Sequence, residues 1–183
     1  MKTKLRCWAL VALTLLAGYI PSLNPVYTDQ QLVFDANVLG TWVQANGQDT
    51  WEFTKRDAKS YRLVYTDKDG HQGRFVARLA DLNGTLFLDL FPEQKTEDDT
   101  AGFYKFHLVP IHTIYRVKRT ELKLELAAID YKWFDKYLTD HPGAIQFATF
   151  NGRKLITAST TDVQAFVLEH QEMFTGDFSL KRR

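Results

Sequence analysis

From Leu32 onward, apolar and polar residues alternate in short runs broken by turn residues, the period-two pattern of half-buried strands. The pattern predicts strands over Val38–Gln44 and Trp51–Lys55, joined at Asn46-Gly47. Tyr61–Thr66 and Gly73–Leu79 follow across Asp67-Lys68-Asp69-Gly70, and Asn83-Gly84 turns the chain into Thr85–Phe91. After a charged loop from Glu93 to Asp99, Tyr104–Lys118 is long enough for one bent strand or two short ones, with Pro110 demanding an edge or bulge. Glu121–Ala128 alternates Leu122, Leu124 and Leu126 with charged residues, so one face is buried. Thr85–Phe91 is apolar on both faces, so something must cover it from outside.

Two helical segments interrupt the strands. Asp130 can cap a helix through Leu138 or Thr139, with Trp133, Phe134, Tyr137 and Leu138 on its apolar face, stopped by His141-Pro142-Gly143. A short strand is expected at Arg153–Ala158. Ser159-Thr160-Thr161-Asp162 then reads as a capping box opening a second helix that carries Val163, Phe166, Val167 and His170. At least seven short strands linked by tight turns predict a mainly β protein: a small antiparallel up-and-down barrel with two helices late in the chain.

Before Leu32 the texture differs. Lys2, Lys4 and Arg6 precede the fourteen-residue apolar run Cys7–Ile20, too short to span a bilayer comfortably and typical of a secretory signal. The expected organisation is a signal peptide over residues 1–18, an extended linker over 19–31 and a barrel domain over 32–183. The expected location is therefore outside the cytoplasm, and the resemblances given below make it a bacterial periplasm or cell envelope. Cleavage and retention of the signal both remain open, and retention would give membrane association through the N-terminus.

Composition narrows the chemistry. Twenty-three Lys+Arg against 22 Asp+Glu, with no long basic run, argue against a nucleic-acid partner. The single cysteine excludes a disulfide framework. The chain carries no nucleophile elbow, phosphate-binding loop, dinucleotide fingerprint or zinc-protease motif. No enzyme activity, cofactor or metal is therefore expected. His107 and His112 flank Pro110, but a separation of five puts them on opposite faces of a regular strand, whereas ligands sharing a strand sit two apart. Asp89, set among Leu86, Phe87, Leu88, Leu90 and Phe91, must be paired. Arg74, Arg78 and Arg116 are candidate partners; the alternative is an interior charge that orients a ligand. Aromatics including Tyr61, Tyr65, Phe75, Phe87, Tyr104 and Tyr115 could fill the barrel or line a cavity. The candidate ligand-binding set is Asp89, Tyr65, Phe75, Phe87, Tyr115, His107 and His112. A hydrolase or isomerase built on Asp89 with either histidine is the outlying alternative.

Two resemblances bear on these expectations. Gly40-Thr41-Trp42 resembles the Gly-x-Trp element at the start of lipocalins and related calycin barrels, which implies a lipocalin-like barrel with Trp42 plugging its floor. Asp130-Tyr131 resembles part of a second lipocalin motif, although here it opens a helix. Nearly the whole chain is similar to a group of bacterial cell-envelope proteins, many of them lipoproteins, without an assigned activity. The segments carrying this likeness are Leu15-Leu16-Ala17-Gly18, Pro21-Ser22-Leu23-Asn24-Pro25, Leu39-Gly40-Thr41-Trp42 and Leu86-Phe87-Leu88-Asp89, together with His107–His112 and Leu155–Thr160. Leu15–Gly18 has the outline of a lipobox, yet Tyr19 stands where the lipid-bearing Cys belongs. The resemblance implies an envelope protein, and the expected function is non-catalytic binding of a small apolar or amphipathic ligand. The alternative is a structural or interaction module with a filled barrel. The sequence names no protein partner.

Overall fold

The computed structural model describes residues 19–44, 48–93, 108–150 and 152–183. Its strands are β1 (Leu32–Val33), β2 (Gly40–Gln44), β3 (Thr50–Lys55), β4 (Tyr61–Thr66), β5 (Gln72–Leu82), β6 (Thr85–Pro92), β7 (Thr113–Arg119), β8 (Lys123–Ile129), β9 (Phe147–Phe150), β10 (Arg153–Ile156) and β11 (Phe174–Arg182). Helix α1 (Tyr131–Asp140) follows β8, and α2 (Thr160–Glu169) follows β10. Strands β2 to β8 pair antiparallel in chain order, β11 closes the ring between β8 and β2, and β1 lies against the end of β5. The result is the expected antiparallel up-and-down barrel, closed with eight strands, with both helices late in the chain.

Alternation sorts each strand between two cores. Trp42, Phe53, Tyr61, Leu63, Leu79, Leu88, Leu124, Leu126 and Leu180 turn inward and are all essentially inaccessible. The opposite face of β6, β7 and β8 presents Phe87, Ile114, Ala127 and Ile129 to α1, α2 and the N-terminal segment. This explains the two-faced apolar pattern of β6. The segment 19–31, expected as a linker, is extended but built into the domain: Ile20 and Val26 are buried in this outer core.

The floor of the barrel is closed by the turn Ala36–Val38, by Trp42 and by Arg182. The Trp42 indole N–H donates to the Val38 carbonyl at 2.9 Å. Arg182 lies 4.5 Å over the Trp42 ring and donates to the carbonyls of Leu39 and Asn37 at 2.8 and 2.5 Å. Gly40 has φ +116°, and a Cβ there would meet the Arg182 guanidinium at 2.9 Å. Gly40 thus lets the chain turn beneath Trp42 while leaving room for the cation above it.

Both predicted helix starts are present. The Asp130 carboxylate accepts the Trp133 N–H at 2.7 Å, and Ser159 accepts from Asp162. The Trp133 amide holds the Asp130 carboxyl below its ordinary range despite partial burial, and Thr175 adds a hydroxyl. A carboxylate held down in the folded state stabilises fully above its unfolded pKa of about 4, and that contribution is lost as pH falls through the folded value. Asp130→Ala is expected to cost about 1 kcal/mol at neutral pH. The gap between variant and parent should shrink in acid; urea titrations in neutral and acidic buffers check both statements.

Three strands lie outside the expected set, the two-residue β1 among them. β11 reads as a mixed segment and contains a register shift between Thr175 and Phe178, so its alternation is broken. β9 is exposed along its whole length and pairs only with β10 among the described residues.

Candidate functional site

Aromatic side chains gather on the side of Trp42 away from the Ala36–Val38 turn, toward the barrel mouth. Trp51 on β3 packs edge-on against Tyr65 of β4 and Tyr115 of β7, with ring centres 5.5 and 6.3 Å away. Phe178 of β11 contacts both Trp51 and Tyr115. Tyr19 reaches the same place from the N-terminal segment, edge-on to Tyr115 at 5.9 Å, and is 39% exposed. Phe75 on β5 is half-buried beside this group, its ring over Gly73, where a Cβ would be 3.0 Å away. The Tyr65 hydroxyl donates to the Asp49 carboxylate at 2.9 Å. Burial, reinforced by that carboxylate, pushes the Tyr65 phenol far above its usual range; burial does the same to Tyr115 and also raises Tyr19. All three phenols therefore stay neutral at physiological pH. The mouth is an aromatic surface with hydroxyl donors and the Asp49 carboxylate at its rim.

A second polar group lies outside the barrel wall. The Asp89 carboxylate accepts the Nδ1–H of His112 at 2.6 Å and the Val26 amide at 3.2 Å. With Asp89 taken as a carboxylate, which can only accept, the proton of this contact is assigned to Nδ1. Asp89 is 1% exposed and His112 7%. His112 also pairs its backbone with Ser22 through reciprocal bonds of 2.9 and 2.8 Å, while its ring lies 4.6 Å from Phe91. The N-terminal segment is thereby fastened to the barrel through Ser22 and Val26. The Ser22 hydroxyl donates to the Asn24 carbonyl rather than to the imidazole.

No family model, curated protein or solved structure matches this chain. The site must be read from its own chemistry.

The candidate residues separate into two groups. Tyr65 and Tyr115 are joined through Trp51 at the mouth, and Phe75 packs against the same inner cluster. Phe87, Asp89 and His112 point away from the interior, because alternation along β6 sends Leu86, Leu88 and Leu90 inward and the residues between them outward. Phe87 packs on Phe174 at 5.5 Å. Two of the three arginines proposed for Asp89 are engaged elsewhere. Arg78 donates to the Tyr27 hydroxyl and Arg116 to the carbonyls of Gln171 and Phe174. Tyr61 lies near the floor, its hydroxyl donating to the Asp35 carbonyl and accepting the Asp35 amide. His107 and Tyr104 fall outside the described residues.

Trp51, Phe178 and Tyr19 are mouth residues that the candidate set lacks. Trp51 alternates with Phe53 and could have been read as inward-facing. Phe178 follows a bulge, and Tyr19 sat in an expected linker, so neither carried a signal. A surface cleft of about 310 Å³ lies elsewhere, between the 143–146 loop and α2, lined by Ile145, Ala158, Phe166, Asp162 and Glu169. Asp67, Asp69 and His71 approach one another on the exposed β4–β5 turn, where Asp67 accepts the amides of Asp69 and His71. These contacts are those of an aspartate-stabilised turn.

Proposed function

We propose that this chain is a non-catalytic cell-envelope protein whose filled barrel serves as a rigid platform acting through its surface. One observation carries the reading: inward side chains occupy the barrel from Trp42 at the floor through Phe53, Tyr61, Leu63, Leu88 and Leu126 up to Trp51 and Tyr115 at the mouth. Small barrels either fill in this way or enclose a ligand, and dense filling leaves the surface and rim to do the work. The buried Asp89–His112 pair fits the same reading. Its atoms are used in fastening one segment to another, and its Ser22 neighbour is turned away.

Titration with a fluorescent long-chain fatty acid tests the proposal. The platform reading expects no saturable one-to-one binding and no energy transfer from Trp51; stoichiometric binding with such transfer would sink it. Partial exposure of Tyr19 above Tyr115 favours a second reading, in which Tyr19 is a removable plug over a shallow ligand site. Under that reading Tyr19→Ala gains saturable binding that the parent lacks.

A further inference from the structure

Beyond the mouth, the chain builds a small sheet that continues one wall of the barrel outward. The N-terminal segment bridges to His112 on one side through Ser22 and to Ile156 of β10 on the other, and β10 pairs with β9. Ser22, His112 and Ile156 share the inner face of this sheet and are buried. Alternation sends the residues between them to the other face. That face carries Pro21 and Leu23 from the segment, Ile111 beside His112, Leu155 of β10, and the cross-strand pair Phe150 and Arg153 at the hairpin end. Leu23 is 39% exposed and Phe150 72%. Tyr19 has the same parity and points into the mouth at Tyr115. The aromatic mouth and this apolar apron thus form one continuous surface.

We propose that the apron is a docking face for the surface of a lipid bilayer. Two observations select lipid over a protein partner or a second copy. The apolar residues from Cys7 to Gly18, with Lys2, Lys4 and Arg6 before them, directly precede Tyr19, where the described domain begins. Where that run is retained, a membrane it enters is met by the residues that immediately follow it. Phe150 beside Arg153 at an exposed hairpin end is also an interfacial arrangement: the ring enters the headgroup boundary while the guanidinium meets lipid phosphate. Asp67 and Asp69 on the β4–β5 turn keep another part of the rim polar, so the barrel leans onto its apron side.

The proposal builds on the platform reading by naming the surface's partner, and its test is separate from the fatty-acid titration. In the full chain carrying Cys7→Ser, a single cysteine is placed by Phe150→Cys or by Leu122→Cys and labelled with an environment-sensitive dye. Leu122 is equally exposed at 72% but lies on the β7–β8 turn at the floor end. The protein is reconstituted with phosphatidylethanolamine–phosphatidylglycerol vesicles containing acyl-chain nitroxide lipid. Quenching several-fold stronger at position 150 than at 122 is expected. Equal quenching at both positions, none at 150, or concentration-dependent shielding of 150 without vesicles would overturn the proposal. Saturable fatty-acid binding would remove the platform reading and leave this result standing.

Discussion

Trp42→Ala is expected to lower the unfolding free energy by about 3–5 kcal/mol, the range for emptying a large buried aromatic site. Trp42 is completely buried, and its ring supports the Arg182 guanidinium, which in turn holds the carbonyls of Asn37 and Leu39. Removing the ring leaves a cavity that the floor cannot collapse to fill, because Gly40 and the Ala36–Val38 turn are held in place around it. Urea unfolding followed by far-UV circular dichroism measures the loss. Trp133→Ala is the control, since Trp133 sits half-buried on α1 and should cost clearly less. Equal losses at the two sites would show that the floor is not the keystone described above.

Asp89→Ala should cost about 3 kcal/mol by stranding the His112 Nδ1–H and the Val26 amide in a dry site. The damage is expected to be local first. In hydrogen exchange, the amides of Ser22 and Val26 should lose protection while those of β2 to β4 keep theirs, because the pair fastens the N-terminal segment and not the ring. Replacing both partners, as in Asp89→Leu with His112→Phe, should recover part of the loss, since an apolar pair strands only the Val26 amide. A double variant no more stable than Asp89→Ala would mean that the cost comes from packing alone.

The barrel was legible because its signals are local. Asn83-Gly84 adopts φ values of 54° and 85° and makes the tight turn that the dipeptide predicts. The alternation of Leu124 and Leu126 put the right face of β8 inward, and Asp130 and Ser159 capped the helices they were expected to cap. The site was legible only in part. Tyr65, Phe75 and Tyr115 lie where their parity sends them, whereas Phe87, grouped with the aromatics that fill or line the barrel, faces outward, and Asp89 is the paired group its apolar setting demands. The partner of Asp89 was expected among arginines on neighbouring strands. The pairing with His112 depends on how β7 leaves the barrel past Pro110 and how residues 20–26 return along the wall, a long-range arrangement that no short window encodes. The bulge in β11 hid Phe178 for the same kind of reason: an unpaired residue resets the period on which the reading relies.

The position of β11 has a consequence for how the ring can form. Seven of its eight strands pair with the strand just before or after them, contacts that can be made as each hairpin is completed. The seal between β8 and β2 waits for Phe174–Arg182, more than a hundred residues after the first edge is laid down. Until then β2 and β8 each carry an open hydrogen-bonding edge, the condition in which β-proteins pair with the wrong neighbour. Arg182 both completes the seal and holds the floor, so closure of the ring and capping of its interior are a single late event.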